Sequence, residues 1–182
     1  SFYYQANLDV LNAMGVELVP FSPLSDHELP EKLDGLYIGG GFPEVFKSEL
    51  EANVSMRQSV QAALENGLLC YAECGGMMYL SESIDGAEMV GFLPQTCRMT
   101  DRLQRFGYAL VTDLKTGKTF PAHEFHHAVT EATGEAEYDF EIRKASRPGL
   151  CWPGGLHKGH TTAGFAHLHF LSHPEWIERL WR

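Results

Sequence analysis

Residues 69–80, LCYAECGGMMYL, carry an apolar run into a cysteine and a pair of glycines, then resume with helix-forming residues. A strand that stops abruptly, turns at one residue and restarts as a helix is a unit of α/β folds. The turning residue is then presented at the end of the sheet. The glycines allow the sharp turn and a close backbone approach. Cys74 is therefore a candidate nucleophile, its thiol acidified in part by a helix beginning at Gly75. The same letters also suit a small buried cysteine followed by an ordinary turn. Cys70, inside the run, reads as core, and Cys97 and Cys151 carry no signal of their own.

The flanking sequence extends this unit. Residues 7–14 place Leu8, Leu11 and Met14 at helical spacing, with Gly15 as a stop. Residues 16–21 read as a short buried strand, and a turn-rich link follows through Pro23 and Pro30. Residues 34–38 predict another strand, running into Gly39, Gly40 and Gly41. Residues 47–66 predict one helix with Leu50, Met56, Val60, Ala63 and Leu64 on its apolar face, closed by Gly67. A strand over 68–72 and a helix over 75–81 complete this half. From Met89 the runs shorten: 107–111, 137–142 and 162–170 predict strands folded back on the same core. The expectation is an α/β domain over residues 1–182, with a mostly parallel central sheet and added strands in its second half. It opens on a helix where such domains open on a strand.

A chain of 182 residues can bury one sizeable core. Its formal charge of −10, from 14 basic and 24 acidic residues, argues against a nucleic-acid surface. No apolar run approaches the roughly 18 residues of a membrane span, and the first residues lack the regions of a signal peptide. Four cysteines without zinc-like pairing suit a reducing cytoplasm.

The glycines at 39–41 follow a strand, so they fall at the same sheet edge as Cys74, where open α/β sheets bind ligands. They match neither phosphate-loop pattern. They could present N–H groups to an oxyanion, or simply form a tight turn. A thiolate needs a base. His167 and His169 alternate along a strand-like run, so both would face one side. That side could hold a catalytic imidazole, a metal pair or two surface residues. Residues 123–127, HEFHH, formally satisfy a zinc-peptidase pattern, but Pro121 and Val129-Thr130 flank it without a helical apolar stripe. His173-Pro174-Glu175 lies beyond the last expected strand.

An ordered series of motifs then resembles the C-terminal glutamine amidotransferase domain of cobyrinic and hydrogenobyrinic acid a,c-diamide synthases. It comprises FYYQANLDVL from Phe2, ELVPFSPLSDHELP from Glu17, LYIGGGFPE from Leu36 and ANVSMR from Ala52. YAECGGMMYL from Tyr71, HEFHH from His123 and HLHF from His167 complete it. The resemblance implies a class I amidotransferase domain of a carbon–nitrogen ligase, with a flavodoxin-like three-layer architecture. It implies Cys74 as nucleophile, His167 as its activating histidine with His169 as runner-up, and Gly40, Gly41 and Gly75 framing the oxyanion hole. It implies glutamine as substrate and no cofactor or metal in this domain. ATP and magnesium belong to an N-terminal synthetase domain that holds the tetrapyrrole. That domain, and the first strand of this one, are expected upstream of Ser1.

Four positions depart from the pattern of the family or of related triads. Ala163-Gly164-Phe165-Ala166-His167 stands where Ala-Ser-Tyr-x-His is usual, and Ala122 replaces a glycine. Position 169 is histidine where related triads carry glutamate; Glu124 is a candidate acid to orient His167 instead. Two alternatives stay open: a glutaminase serving another tetrapyrrole such as nickel-sirohydrochlorin, or an inactive amide-binding regulatory domain.

Overall fold

The computed structural model describes every residue except Pro148 and Arg182. The first half contains α1 (Gln5–Ala13), β1 (Gly35–Ile38), α2 (Lys47–Ala52), α3 (Val54–Glu65), β2 (Leu69–Glu73) and α4 (Gly75–Leu80). Then come β3 (Ser83–Ile84), β4 (Ala87–Glu88), β5 (Gln95–Asp113), β6 (Thr119–Ala132), β7 (Glu137–Lys144) and β8 (Cys151–Lys158). The chain closes with β9 (Thr161–Gly164), β10 (His167–Leu168) and α5 (Pro174–Leu180).

These strands form one sheet in the order β1-β2-β9-β8-β7-β5-β3-β4, with β6 paired to β5 and carrying β10. The architecture is three-layered, but the sheet is mixed rather than mostly parallel. Only β1–β2, β2–β9 and β3–β5 run parallel; β5–β6, β5–β7, β7–β8, β8–β9, β6–β10 and β3–β4 are antiparallel. The reason lies in the connections. Parallel neighbours need a long crossover, whereas the short links after Asp113, Lys144 and Lys158 return the chain directly alongside the strand just left.

Strand alternation divides the buried side chains between two cores. Leu36, Ile38, Cys70 and Ala72 face α2, α3 and α4. Tyr71 faces the other way, onto Leu11 of α1 and Trp176 and Ile177 of α5.

Three local expectations are corrected. Residues 16–21 form no strand: Leu18 and Val19 are exposed, and only Val16 and Phe21 pack partly on the cores. The following turn is tied down by Asn53, whose side-chain amide donates to the carbonyls of Pro23 and Asp26, both at 2.8 Å. That same Asn53 caps α3 by accepting from Met56 N–H, so the helix expected over 47–66 is broken into α2 and α3. The strand expected over 162–170 is also two pieces, β9 and β10, separated by Phe165 and Ala166.

Candidate active site

β2 ends at Glu73, α4 begins at Gly75, and Cys74 alone makes the turn, with φ +48° and ψ −106°. Positive φ in a non-glycine residue costs about 1–3 kcal/mol and persists only where the surroundings impose it. Here they do. Cys74 N–H donates to the Gly164 carbonyl at the end of β9, at 2.7 Å. A Cβ on Gly75 would lie 2.6 Å from the Gly41 carbonyl oxygen, and one on Gly76 would lie 2.2 Å from that of Ile38. The glycine pair therefore lets α4 start directly against the end of β1 and the glycines that follow it. Gly40 is held there by Phe2, whose N–H donates to its carbonyl at 2.6 Å.

His167 reaches this point three residues beyond Gly164, the end of the strand beside β2. β10 pairs antiparallel with β6, setting His167 opposite His123. Its ring is 7% exposed and packs edge-on against Phe2, with ring centroids 5.3 Å apart. A Cβ on Gly40 would come within 2.8 Å of its Cε1, so that glycine makes room for the imidazole. Burial works against charge on this ring. Even so, hydrogen bonding to Cys74 and the neighbouring Glu73 carboxylate hold His167 up to about 9. The Cys74 thiol also donates to the Phe125 carbonyl of β6, at 3.9 Å.

Cys74, His167, Gly40, Gly41 and Gly75 are thus brought together from β1, β2, α4 and β10. His169 lies just beyond the end of β10, still extended, and its ring, like that of His167, lies beside Tyr4. Glu124 is buried but is placed elsewhere. It accepts from Trp152 Nε1–H at 3.1 Å and meets His126 Nε2 at 3.3 Å, because adjacent strand residues point to opposite faces and His123 occupies the register position facing His167. The HEFHH motif is β-strand, not helix. Among the described residues no three His, Cys, Asp or Glu are grouped to hold a metal ion. His173 stands at the N-cap position of α5 without a side-chain cap bond, and its Nε2 meets Asp113 Oδ2 at 3.3 Å.

One residue here escaped the sequence reading. Glu73, fully buried, accepts from Tyr71 Oη–H at 2.7 Å, Leu168 N–H at 3.1 Å and Tyr37 Oη–H at 3.2 Å. Its Oε2 lies 3.5 Å from His167 Nδ1. The available signal was an acid closing an apolar strand, directly before the candidate nucleophile.

A cysteine at a strained strand–helix turn, a buried imidazole beside it and close-packed glycine amides define the thiol-dependent class of α/β amide hydrolases. Comparison with known proteins narrows this. The sequence profile of the CobB/CobQ-like glutamine amidotransferase domain matches residues 1–175, and the chain belongs to that family. It is 45% identical over 183 residues to the cobyrinate a,c-diamide synthase of Listeria innocua serovar 6a, covering 95% of this chain and 40% of that protein. The synthase of Clostridium acetobutylicum is 42% identical over 188 residues, covering 100% of this chain and 43% of that protein. The chain thus spans less than half the length of these curated relatives. A solved glutamine amidotransferase superposes with TM-score 0.70 at 18% identity, over 97% of this chain and 90% of that one. A second, from Thermotoga maritima, gives TM-score 0.60 at 12% identity, over 95% and 74%. At such identities these two bear on the fold alone.

Proposed function

We propose that this glutamine amidotransferase domain hydrolyses glutamine through a Cys74 thioester and supplies the ammonia to a cobyrinate a,c-diamide synthase. The observation that carries the chemistry is Cys74 at its strained turn, with the buried His167 packed against the adjoining Gly40. The observation that carries the pathway is the similarity to synthases named for that reaction.

The steps follow from the geometry. Glutamine enters with its side-chain carbonyl toward Gly40, Gly41 and Gly75. Cys74 N–H is already committed to Gly164, so the next amide, Gly75 N–H at the first position of α4, is the first left by position without an intrahelical acceptor. The Cys74 thiolate attacks the carbonyl carbon, and the oxyanion forms against these amides. The His167 imidazolium gives its proton to the departing nitrogen, the C–N bond breaks, and ammonia leaves a glutamyl thioester. Neutral His167 then takes a proton from water, whose oxygen attacks the thioester; glutamate departs and the thiol is restored.

The remainder of a full-length synthase would use ATP and magnesium to convert the a and c carboxylates of the macrocycle into acyl phosphates. Ammonia displaces phosphate there, and no step at Cys74 passes through either cofactor. Localisation in the cytoplasm is part of this reading. Among the described residues no helix is long and apolar enough to cross a membrane.

The test is glutamate release by the full-length protein, with ATP and each of several tetrapyrroles, beside Cys74→Ala. Cobyrinate-stimulated release that falls about 10³-fold or more in the variant is the expected result. Stimulation by nickel-sirohydrochlorin instead would replace the pathway, and release unaffected by Cys74→Ala would remove the thioester.

A further inference from the structure

His167 has two ring nitrogens, and with Nδ1 turned toward Glu73 the one left for the thiol is Nε2. Nδ1 is buried and makes no hydrogen bond of ordinary geometry. Its nearest charged neighbour is Glu73 Oε2, at 3.5 Å, an ion-pair contact slightly longer than a hydrogen bond. A buried ring nitrogen with no other partner, aimed at a buried carboxylate, is the arrangement that fixes which nitrogen carries the proton.

Glu73 is itself held from three directions. Tyr71 lies on the same face of β2, Tyr37 reaches across from the neighbouring β1, and Leu168 N–H comes from β10, the strand that bears His167. All three donate, which suits an acceptor-only carboxylate. Burial and the Glu73 charge push both phenols well up, so they remain O–H donors at any working pH. The bond to Leu168 ties the acid to the residue following the histidine. Asn7 of α1 fixes the same strand by donating to the Leu168 carbonyl at 2.8 Å and accepting from Phe170 N–H at 2.9 Å.

We propose that Glu73 is the positioning residue of this site: its carboxylate holds His167 with the proton on Nδ1 and stabilises the imidazolium formed when Nε2 takes the Cys74 proton. This rests on the Cys74–His167 chemistry proposed above and deepens it. The acid then precedes the nucleophile by one residue, and no acid beyond the histidine is required. Its contact is with the ring, so it acts through the histidine.

The other titratable groups around His167 are Cys74 from the β2–α4 turn, Tyr3 and Tyr4 from the N-terminal segment, His123 from β6, and His169 beyond β10. Tyr3 and Tyr4 are raised by burial and by Glu73 itself. A pH effect specific to Glu73 must therefore survive with these groups unchanged.

The experiment uses full-length protein with Glu73→Gln and Glu73→Asp, reading glutamate release and the pH dependence of Cys74 alkylation by iodoacetamide. Glu73→Gln is expected to lower kcat by about 10²-fold or more. Its half-maximal alkylation should move up by about one pH unit or more, while Glu73→Asp recovers part of both. A purely structural Glu73 would lower thermal stability yet leave the alkylation profile of the folded fraction unmoved, and that result overturns the proposal. A second measurement needs no variant at Glu73. In ¹⁵N-histidine spectra of the wild type, neutral His167, assigned by its loss in His167→Gln, should carry its proton on Nδ1; a proton on Nε2 overturns it equally. Failure of the thioester reading is distinct, since that would appear as glutamate release independent of Cys74.

Discussion

Between residues 35 and 80 the chain winds parallel strands and helices, each strand ending in a tight turn. Between residues 95 and 168 it folds back on itself in antiparallel strands, one of them 19 residues long. The first region presents the thiol, and its geometry is local: Glu73, Cys74, Gly75 and Gly76 are consecutive. The second presents the imidazole, placed by the pairing of His167 with His123, 44 positions earlier in the chain. One half of the site is therefore set by neighbours in sequence and the other by register across a sheet.

The sharpest way to break this comparison is to add one methyl group at two glycines. Gly76→Ala sets a Cβ 2.2 Å from the Ile38 carbonyl oxygen, where only backbone can yield. It should cost about 3 kcal/mol in chemical denaturation. Gly40→Ala sets a Cβ 2.8 Å from His167 Cε1, where a side chain can move. Its kcat should fall about 10²-fold with the melting temperature nearly unchanged, because a displacement near 1 Å suffices for such a loss. Equal effects of the two on stability would dissolve the distinction between the regions.

Asp113 tests the far end of the antiparallel region. It accepts from Arg179 and meets His173 Nε2 at 3.3 Å, pinning α5 to the end of β5. Asp113→Asn should lose about 2 kcal/mol of stability while Cys74 alkylation keeps its wild-type rate. Burial opposes its charge, yet Arg179, the Lys115 N–H and His173 hold its carboxyl down to about 2. Its stabilisation is thus complete above the unfolded value of 3.8 and is lost as pH falls through about 2. Unfolding titrations of wild type and variant should converge in that acid window.

His167 gives the opposite sign. Held up to about 9 against 6.5 unfolded, its charged form stabilises fully below 6.5, and this is lost as pH rises through about 9. The stability gap between wild type and His167→Gln should narrow across that alkaline window; a gap that widens there would contradict the ion pair. The smallest effect is expected at Val19, 47% exposed, where Val19→Ser should change stability by less than about 0.5 kcal/mol. A large loss there would restore the buried strand that the letters suggested.

The parallel half was legible because its punctuation is local. The strand into Cys74, the helix behind it and the turns at Gly15 and Gly67, with φ +84° and +88°, each sit within a few residues of their cause. The break at Asn53 was not, because it depends on carbonyls at Pro23 and Asp26. In β5 the alternation that marks a strand is interrupted where Arg105 and Gly107 adopt positive φ and the register against β6 shifts. Direction of pairing leaves no periodic trace, so a mixed sheet read as a mostly parallel one. Cys74 and His167 could be singled out by type and neighbourhood. Glu73 could not, because its meaning comes from a histidine 94 residues later.

β10 has only two residues, yet it carries the proposed base, whereas the thiol stands at the end of a central strand bonded on both sides. A site divided in this way has a fixed half and a portable half. Withdrawing β10 from β6 and Asn7 would leave the cysteine in place and without its imidazole. Amide exchange at Leu168 should accordingly be faster than at Ala72; the reverse order would mean that both halves move as one body.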